Sequence, residues 1–282
     1  MFSFVRGRAV VVLLVVAALL GAVTSGPVTA ATSTTVTWRV SSLTVGKVKS
    51  LSTIATSNSP GVKTWSKTGS CTLSPTSKPT TLTMGRGPSC TLKLKIAKSG
   101  KYPAKTSTKI ITQKPCANGG VCALGDIGPG GGKVFYVSSS NFTSTGSDCG
   151  TACKYLEAAP SDHSSLVLWC SNTSSSLGVT ATGIGSGMSN TTTADSTCTS
   201  GAIQVAADYT YNSKTDWHLP SKDELAQLYI QRTTVGGFET DLYWSSSEYQ
   251  LDKSWLQHFY SGNHDNSTKR YTGYVRPVRA FG

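Results

Sequence analysis

The chain has 282 residues, and 26 Lys and Arg against 14 Asp and Glu give a formal charge of +12. An aromatic content of 9 % excludes a disordered basic tail, and no heptads or Gly-X-Y triplets are present to suggest a coiled coil or a collagen helix. The charge is unevenly placed: residues 31–115 hold 14 Lys or Arg and no Asp or Glu, whereas residues 116–282 hold 10 basic and all 14 acidic side chains.

Residues 1–30 read as an export signal. Arg6 and Arg8 precede an apolar run from Ala9 to Leu20, and Val28-Thr29-Ala30 offers small residues where a signal peptidase cuts, so cleavage is expected after Ala30. No Cys follows the run to carry a lipid, and no later stretch reaches the roughly 18 to 20 apolar residues of a membrane span. The mature protein is expected to be secreted, extracellular or at the cell surface, with no stable membrane insertion. Its eight cysteines are even in number, which in an exported chain favours disulfides over metal ligands. Nearness in sequence ranks the pairs as Cys71 with Cys90, Cys116 with Cys122, Cys149 with Cys153, and Cys170 with Cys198.

Residues 31–112 alternate short β-type runs with turn clusters: Thr35 to Val40, a break at Asn58-Ser59-Pro60-Gly61, Val62 to Trp65, Thr80 to Met84, then Gly85-Arg86-Gly87-Pro88. From Cys90 to Ala97, Leu92, Leu94 and Ile96 alternate with Lys93 and Lys95, the period of a strand with one buried face. Such strands predict a small, basic all-β sandwich. The stretch resembles bacterial immunoglobulin-like repeats in Trp65-Ser66 followed by Gly69-Ser70-Cys71, and in Cys90 leading to Tyr102; the resemblance implies a stalk or spacer. Lys93, Lys95, Lys98, Lys101 and Lys105 form a candidate polyanion patch, for cell-wall polymer or sulfated glycan. The same lysines serve equally well to keep sheet edges soluble. Nucleic acid is not expected as a partner of an exported protein.

Residues 113–125 form a linker with a Cys116–Cys122 loop, and residues 126–282 have a different texture. Gly128-Pro129-Gly130-Gly131-Gly132-Lys133 suggests a phosphate loop, but Ile127 and Val134 stand where that motif needs Gly and Ser or Thr; a glycine turn into a strand over Lys133 to Val137 is predicted. Ser221-Lys222-Asp223-Glu224 is a capping box, followed by Leu225, Leu228 and Tyr229 on a helix expected to reach about Arg232. A second helix is expected over Ala202 to Tyr209, and strands over Leu242 to Ser246, Trp255 to Tyr260 and Tyr274 to Phe281. The segment is thus α+β.

Five motifs then occur in order: Gly125-Asp126-Ile127-Gly128-Pro129-Gly130-Gly131-Gly132; Tyr155-Leu156-Glu157-Ala158-Ala159-Pro160; Asp216-Trp217-His218-Leu219-Pro220-Ser221-Lys222-Asp223-Glu224-Leu225; Tyr243-Trp244-Ser245-Ser246-Ser247-Glu248; and Val275-Arg276-Pro277-Val278-Arg279-Ala280-Phe281. Together they resemble the C-terminal domain of Legionella collagen-like (Lcl) adhesins. The resemblance implies a C-type-lectin-like fold on a secreted or surface protein, and recognition of polysaccharide, including sulfated glycans. No collagen-like repeat precedes the domain, so the adhesins' trimer is not carried over and the oligomeric state is left open.

The chemistry-bearing residues point the same way. The four histidines sit in no catalytic spacing, and neither G-x-S-x-G nor H-E-x-x-H occurs. A non-catalytic, adhesin-like binding protein is therefore expected, the alternative being an extracellular enzyme acting on glycan or protein on a related fold. Trp255, His258, Asn263, Asp265, Arg276 and Arg279 are the candidate ligand residues. Arg276 and Arg279, three apart on a predicted strand, are expected on opposite faces, one paired with Glu248 or a similar carboxylate and the other exposed. Trp217 and Trp244 are expected in the core. Asn263, Asp265 and Asn266 could offer oxygen ligands to calcium, but the EF-hand order and the triplets of calcium-dependent lectins are missing, so no metal or other cofactor is expected.

Overall fold

In the computed structural model, which describes residues 32–282, every pairing of named strands joins two segments up to Gln113 or two segments from Lys133 onward. The expected signal segment, residues 1–30, lies outside the described residues. No described helix is long and apolar enough to cross a membrane.

The first set comprises β1 (Val36–Trp38), β2 (Ser42–Leu43), β3 (Val48–Ser50), the single turn α1 (Leu51–Ile54), β4 (Ala55–Ser57), β5 (Lys63–Gly69), β6 (Cys71–Ser74), β7 (Thr81–Met84), β8 (Ser89–Ile96) and β9 (Lys105–Gln113). Three sheets result, ordered β2-β9-β8-β5, β3-β7-β6 and β1-β4. Cys90, Leu92, Leu94 and Ile96 of β8 are buried while Lys93 and Lys95 are exposed, as the period-two pattern predicts. Leu51, Ile54, Leu82, Met84 and Ile111 close the main cluster around the Cys71–Cys90 disulfide.

The longest strand of this set, β9, has no apolar alternation to announce it. Its register places Lys105, Ser107 and Lys109 on the same face as Ile96, Leu94 and Leu92, so only Ile111 among them is a buried hydrophobe. Lys105 is exposed and Lys109 half-buried, so cations stand where a buried face would carry hydrophobes, which hides the strand from a hydrophobicity pattern.

The second set comprises β10 (Lys133–Phe142), β11 (Cys153–Ala158), β12 (Ser164–Val167), helices α2 (Gly187–Asp195), α3 (Ala202–Ala207), α4 (Lys222–Ile230) and α5 (Arg232–Val235), then β13 (Leu242–Gln250), β14 (Lys253–His258), β15 (His264–Thr268), β16 (Gly273–Val275) and β17 (Val278–Phe281). A three-stranded sheet runs β10-β11-β17 and a five-stranded one β12-β16-β13-β14-β15. The protein is thus mostly β, with its longer helices gathered between β12 and β13. Trp217 and Trp244 are buried as expected, and all four expected disulfides form: Cys71–Cys90, Cys116–Cys122, Cys149–Cys153 and Cys170–Cys198.

One expectation needs correction, and one helix had no signal in the sequence. The single strand predicted from Tyr274 to Phe281 is two strands in different sheets, β16 and β17, broken at Arg276-Pro277, where proline supplies no ladder N–H. Helix α2 was not foreseen: its sequence, Gly-Met-Ser-Asn-Thr-Thr-Thr-Ala-Asp, is poor in helix formers, and buried Asn190, Thr191 and Ala194 hold it by tertiary contact.

The capping box of α4 forms as predicted. Ser221 Oγ accepts from Glu224 N, and the Glu224 carboxylate accepts from Ser221 N at 2.9 Å. Ser221 Oγ also donates to Gly183 O at 2.9 Å. Ser221→Ala is therefore expected to lower stability by about 1–2 kcal/mol, read as a lower urea midpoint with an unchanged slope.

Candidate functional site

Glycines Gly128, Gly130 and Gly132 do build an anion cradle, but for an internal anion. Gly130 N donates to Glu157 Oε1 at 2.9 Å and Gly132 N to Oε2 at 3.1 Å. A Cβ on Gly130 would stand 2.6 Å from that carboxylate, so the loop needs glycine there to close on it. Arg279 completes the site. Its Nη1 donates to Glu157 at 3.1 Å, its Nε to Asp216, and its Nη2 to Asp148 at 2.8 Å; Lys214 also donates to Asp148, at 3.0 Å. Burial pushes the Glu157 carboxyl up against the pull of Gly130 and Arg279. Burial alone would lower Arg279, but Asp216 and Glu157 together raise it. The exposed Asp148 carboxyl is held below its ordinary value, chiefly by the Lys214 hydrogen bond.

Arg276 is equally enclosed. Its Nε donates to Asp162 at 2.6 Å, and its other nitrogens donate to the carbonyls of Ala159, Gly236 and Gly237. Tyr243 donates its hydroxyl to the second Asp162 oxygen at 2.6 Å. The expectation that one of the two arginines is exposed is thus corrected: both are 1 % exposed, because the break at Pro277 removes the strand parity on which it rested. Neither arginine faces solvent as a ligand contact. Nor does either take Glu248, whose partner is the fully buried Lys269 at 2.5 Å. The nearest approach to an acid–base pair is His218 beside Glu224, Nε2 to Oε2 3.5 Å, but both side chains are sealed from solvent.

The buried charged residues of the five motifs are therefore scaffold. Glu157, Asp216, Glu224, Glu248, Arg276 and Arg279 each answer a charge or an orphan backbone N–H inside the fold. A solvent-facing site must be sought on residues outside this skeleton.

One lies on the β14–β15 ribbon. The register pairs Trp255 with Asn266 and Gln257 with His264, which puts Trp255, His264 and Asn266 on one face. Trp255 is half-buried, with the Tyr249 ring edge-on at 4.8 Å and the Lys222 ammonium 4.6 Å from its ring centre. Burial, reinforced by the Lys222 charge, holds the His264 imidazole below its ordinary pKa against the pull of Asp223. An aromatic platform, a cation and an amide, each half-buried, thus share one face with the exposed His264, while Gln257 on that face is buried. Sequence reading placed Trp255 here but missed Lys222, Tyr249 and His264, since Lys222 sits on a distant helix and the others gain meaning only from strand register.

The remaining candidates separate from Trp255. Asp265 pairs with Leu256, and His258 lies two residues along, so both occupy the opposite face; His258 Nδ1 is 2.8 Å from the Tyr260 hydroxyl and its Nε2 is 3.8 Å from Asp265. Asn263 is exposed in the turn, where its carbonyl accepts from His258 N at 3.0 Å. Asp265 and Asn266 are neighbours on a strand and diverge, so the oxygen set considered for calcium does not converge. Among the described residues no three His, Cys, Asp or Glu gather where a metal could sit.

The five candidate lysines of the basic half divide as well. Lys93 and Lys95 share the outer face of β8 with Ser66, Thr64, Thr108 and Thr106, whereas Lys105 pairs with the buried Ile96 and takes the opposite face. Lys98 and Lys101 lie in the connection between β8 and β9. A single five-lysine patch is not formed, because strand parity and the turn send the side chains in different directions.

Fold and sites together describe a disulfide-clamped, mostly β protein with an acid-free basic part and a part organised by buried ion pairs. Residues 159–279 match the model of the family described as the Lcl C-terminal domain. The matched span begins after the glycine run and after most of the Tyr155–Pro160 motif, which β10 and β11 join to it through the sheet with β17. No curated protein matches the chain. Among solved structures, a fimbrial protein from Bacteroides ovatus ATCC 8483 is similar over 74 % of this chain and 60 % of its own length, at 14 % identity and a TM-score of 0.41. The chain thus covers less than two thirds of that protein, and a likeness of this size carries no argument on fold or function.

Proposed function

We propose that the protein is a secreted or cell-surface, non-catalytic, adhesin-like binding protein that recognises polysaccharide. In this reading residues 31–112 are an immunoglobulin-like stalk, residues 113–125 a linker, and residues 126–282 a C-type-lectin-like head. The Lcl match over residues 159–279 and the four disulfides support an extracellular address. The observation that carries the ligand class is the Trp255 face: one half-buried indole flanked by Tyr249, with Lys222, His264 and Asn266 around it, while Trp169, Trp217 and Trp244 are buried. Sugar rings present C–H faces that stack on an indole, and their hydroxyls and sulfates suit the amide and ammonium groups beside it.

Binding of the mature protein to a panel of immobilised glycans, heparin included, tests this. Trp255→Ala is expected to weaken binding about tenfold or more with little change in thermal stability, the effect of removing a central aromatic anchor. Retention of full binding by Trp255→Ala, or turnover of the bound glycan, overturns the reading.

A further inference from the structure

The charge asymmetry of the sequence acquires a location in the β5 edge of the N-terminal part. Strand β5 lies at the edge of its four-stranded sheet and, among the described residues, pairs only with β8. Lys63, Trp65 and Lys67 alternate on one of its faces, opposite Ile96, Leu94 and Leu92. The two lysines are four residues apart, about 13 Å along an extended strand, with the indole midway. Trp65 is half-buried and fixed: Trp38 meets it edge-on, with ring centres 5.9 Å apart, and Trp38 Nε1 donates to Ser107 Oγ at 2.9 Å.

This indole forms one wall of a groove of about 530 Å³ between β5 and the α1–β4 segment. Leu51, Ala55 and Pro79 line the rest together with serine and threonine side chains of residues 50–57 and Thr80, and Lys63 stands at its side. Every side chain here is neutral or cationic, and residues 31–115 contain no carboxylate to neutralise the lysines. The mostly apolar wall around the indole suits the C–H face of a sugar ring, the hydroxyl groups suit its polar substituents, and Lys63 at the side of the groove, with Lys67 farther along the same face of β5, favours an anionic sugar over a neutral one.

We propose that the groove beside Trp65 is a second saccharide site, separate from the Trp255 face, which takes a segment of an acidic polysaccharide bearing carboxylate or sulfate groups. One sugar ring stacks on Trp65 while Lys63 and Lys67 take anionic groups on either side of it. The site stands on the N-terminal residues alone and does not depend on what the Trp255 face binds.

Titration of the mature chain with a heparin hexasaccharide and a tri-galacturonate, with a neutral maltohexaose as control, tests the proposal in a Trp255→Ala background. Residual binding of an acidic oligosaccharide is expected, weakening with added salt. Lys63→Gln with Lys67→Gln is expected to lower the affinity of that residual binding about fivefold or more, while Lys93→Gln with Lys95→Gln, which removes the same charge from the other face, leaves it unchanged. Trp65→Phe, which keeps a ring against Trp38, tests stacking without emptying the core; a smaller ring is expected to weaken binding and leave the unfolding midpoint nearly unchanged. Equal losses from both lysine pairs mean diffuse charge attraction and overturn the site. So does a loss confined to the Lys93–Lys95 pair, equal affinity for maltohexaose, or the absence of any residual binding.

Discussion

Replacing Arg279 by leucine is expected to cost about 3–5 kcal/mol of stability, enough to unfold a marginal domain at room temperature. The guanidinium is the shared partner of three carboxylates, and two of them, Glu157 and Asp216, are buried. Without it Glu157 keeps only the N–H groups of Gly130 and Gly132, and its charge stands unneutralised in the core. Arg279→Lys is expected to recover little of the loss, because an ammonium cannot reach three carboxylates from the positions of Nε, Nη1 and Nη2. The deficit is also pH-dependent. Burial already raises the Glu157 pKa in the fold; its protonated form needs no cation, so the gap between wild type and variant is expected to narrow as pH falls through that raised value. Urea unfolding at pH 7 and at pH 4 measures this. A variant with wild-type stability that has lost glycan binding would instead make Arg279 a ligand residue, against its burial.

The β14–β15 ribbon and the pair Arg276 and Arg279 explain which parts of the molecule the sequence discloses. Local signals held: the glycine run, the Ser221 capping box, the alternation in β8 and the short-range cysteine pairs each depend on residues close in the chain. The five sequence motifs located the scaffold, since their buried charged residues close ion-pair networks of the core. Non-local geometry stayed hidden. Pro277 separates two arginines that a continuous strand would have placed on opposite faces, and both are consumed internally. Lys222 reaches Trp255 across an α4–β14 contact, a pairing that no spacing in the sequence encodes. Lys269 reads as an ordinary surface lysine of a turn, beside Arg270, and only the packing of three carbonyl and carboxylate oxygens around its Nζ makes it a core residue.

That buried lysine carries the second large effect. Lys269 Nζ donates to Glu248 at 2.5 Å, to Ser175 O at 2.8 Å and to Leu251 O at 2.9 Å, with the Trp169 ring 4.8 Å away. Glu248 in turn accepts from Leu177 N at 2.8 Å, Val179 N at 3.2 Å and Ser176 Oγ at 3.1 Å. One ion pair therefore fastens the chain around residues 175–179 to the β13–β14 turn and the end of β15. Glu248→Gln leaves an ammonium in the core without its counter-charge and is expected to cost about 3–5 kcal/mol; Lys269→Met leaves the carboxylate with its backbone donors and is expected to cost less. Replacing both by Met and Leu, which removes the charges together, is expected to be milder than Glu248→Gln alone. Burial by itself raises the Glu248 carboxyl, but Lys269 and the Leu177 and Val179 N–H groups outweigh it and hold the pKa below the ordinary value. A carboxyl lowered on folding stabilises above its unfolded pKa and loses that contribution as pH falls through the folded one. The difference between wild type and Glu248→Gln should then be largest near neutral pH and shrink in acid, the same direction as for Arg279 but from the opposite shift. Hydrogen exchange separates the two: Glu248→Gln should speed exchange at the Leu177 and Val179 amides, and Arg279→Leu at Gly130 and Gly132, because each network guards its own backbone donors.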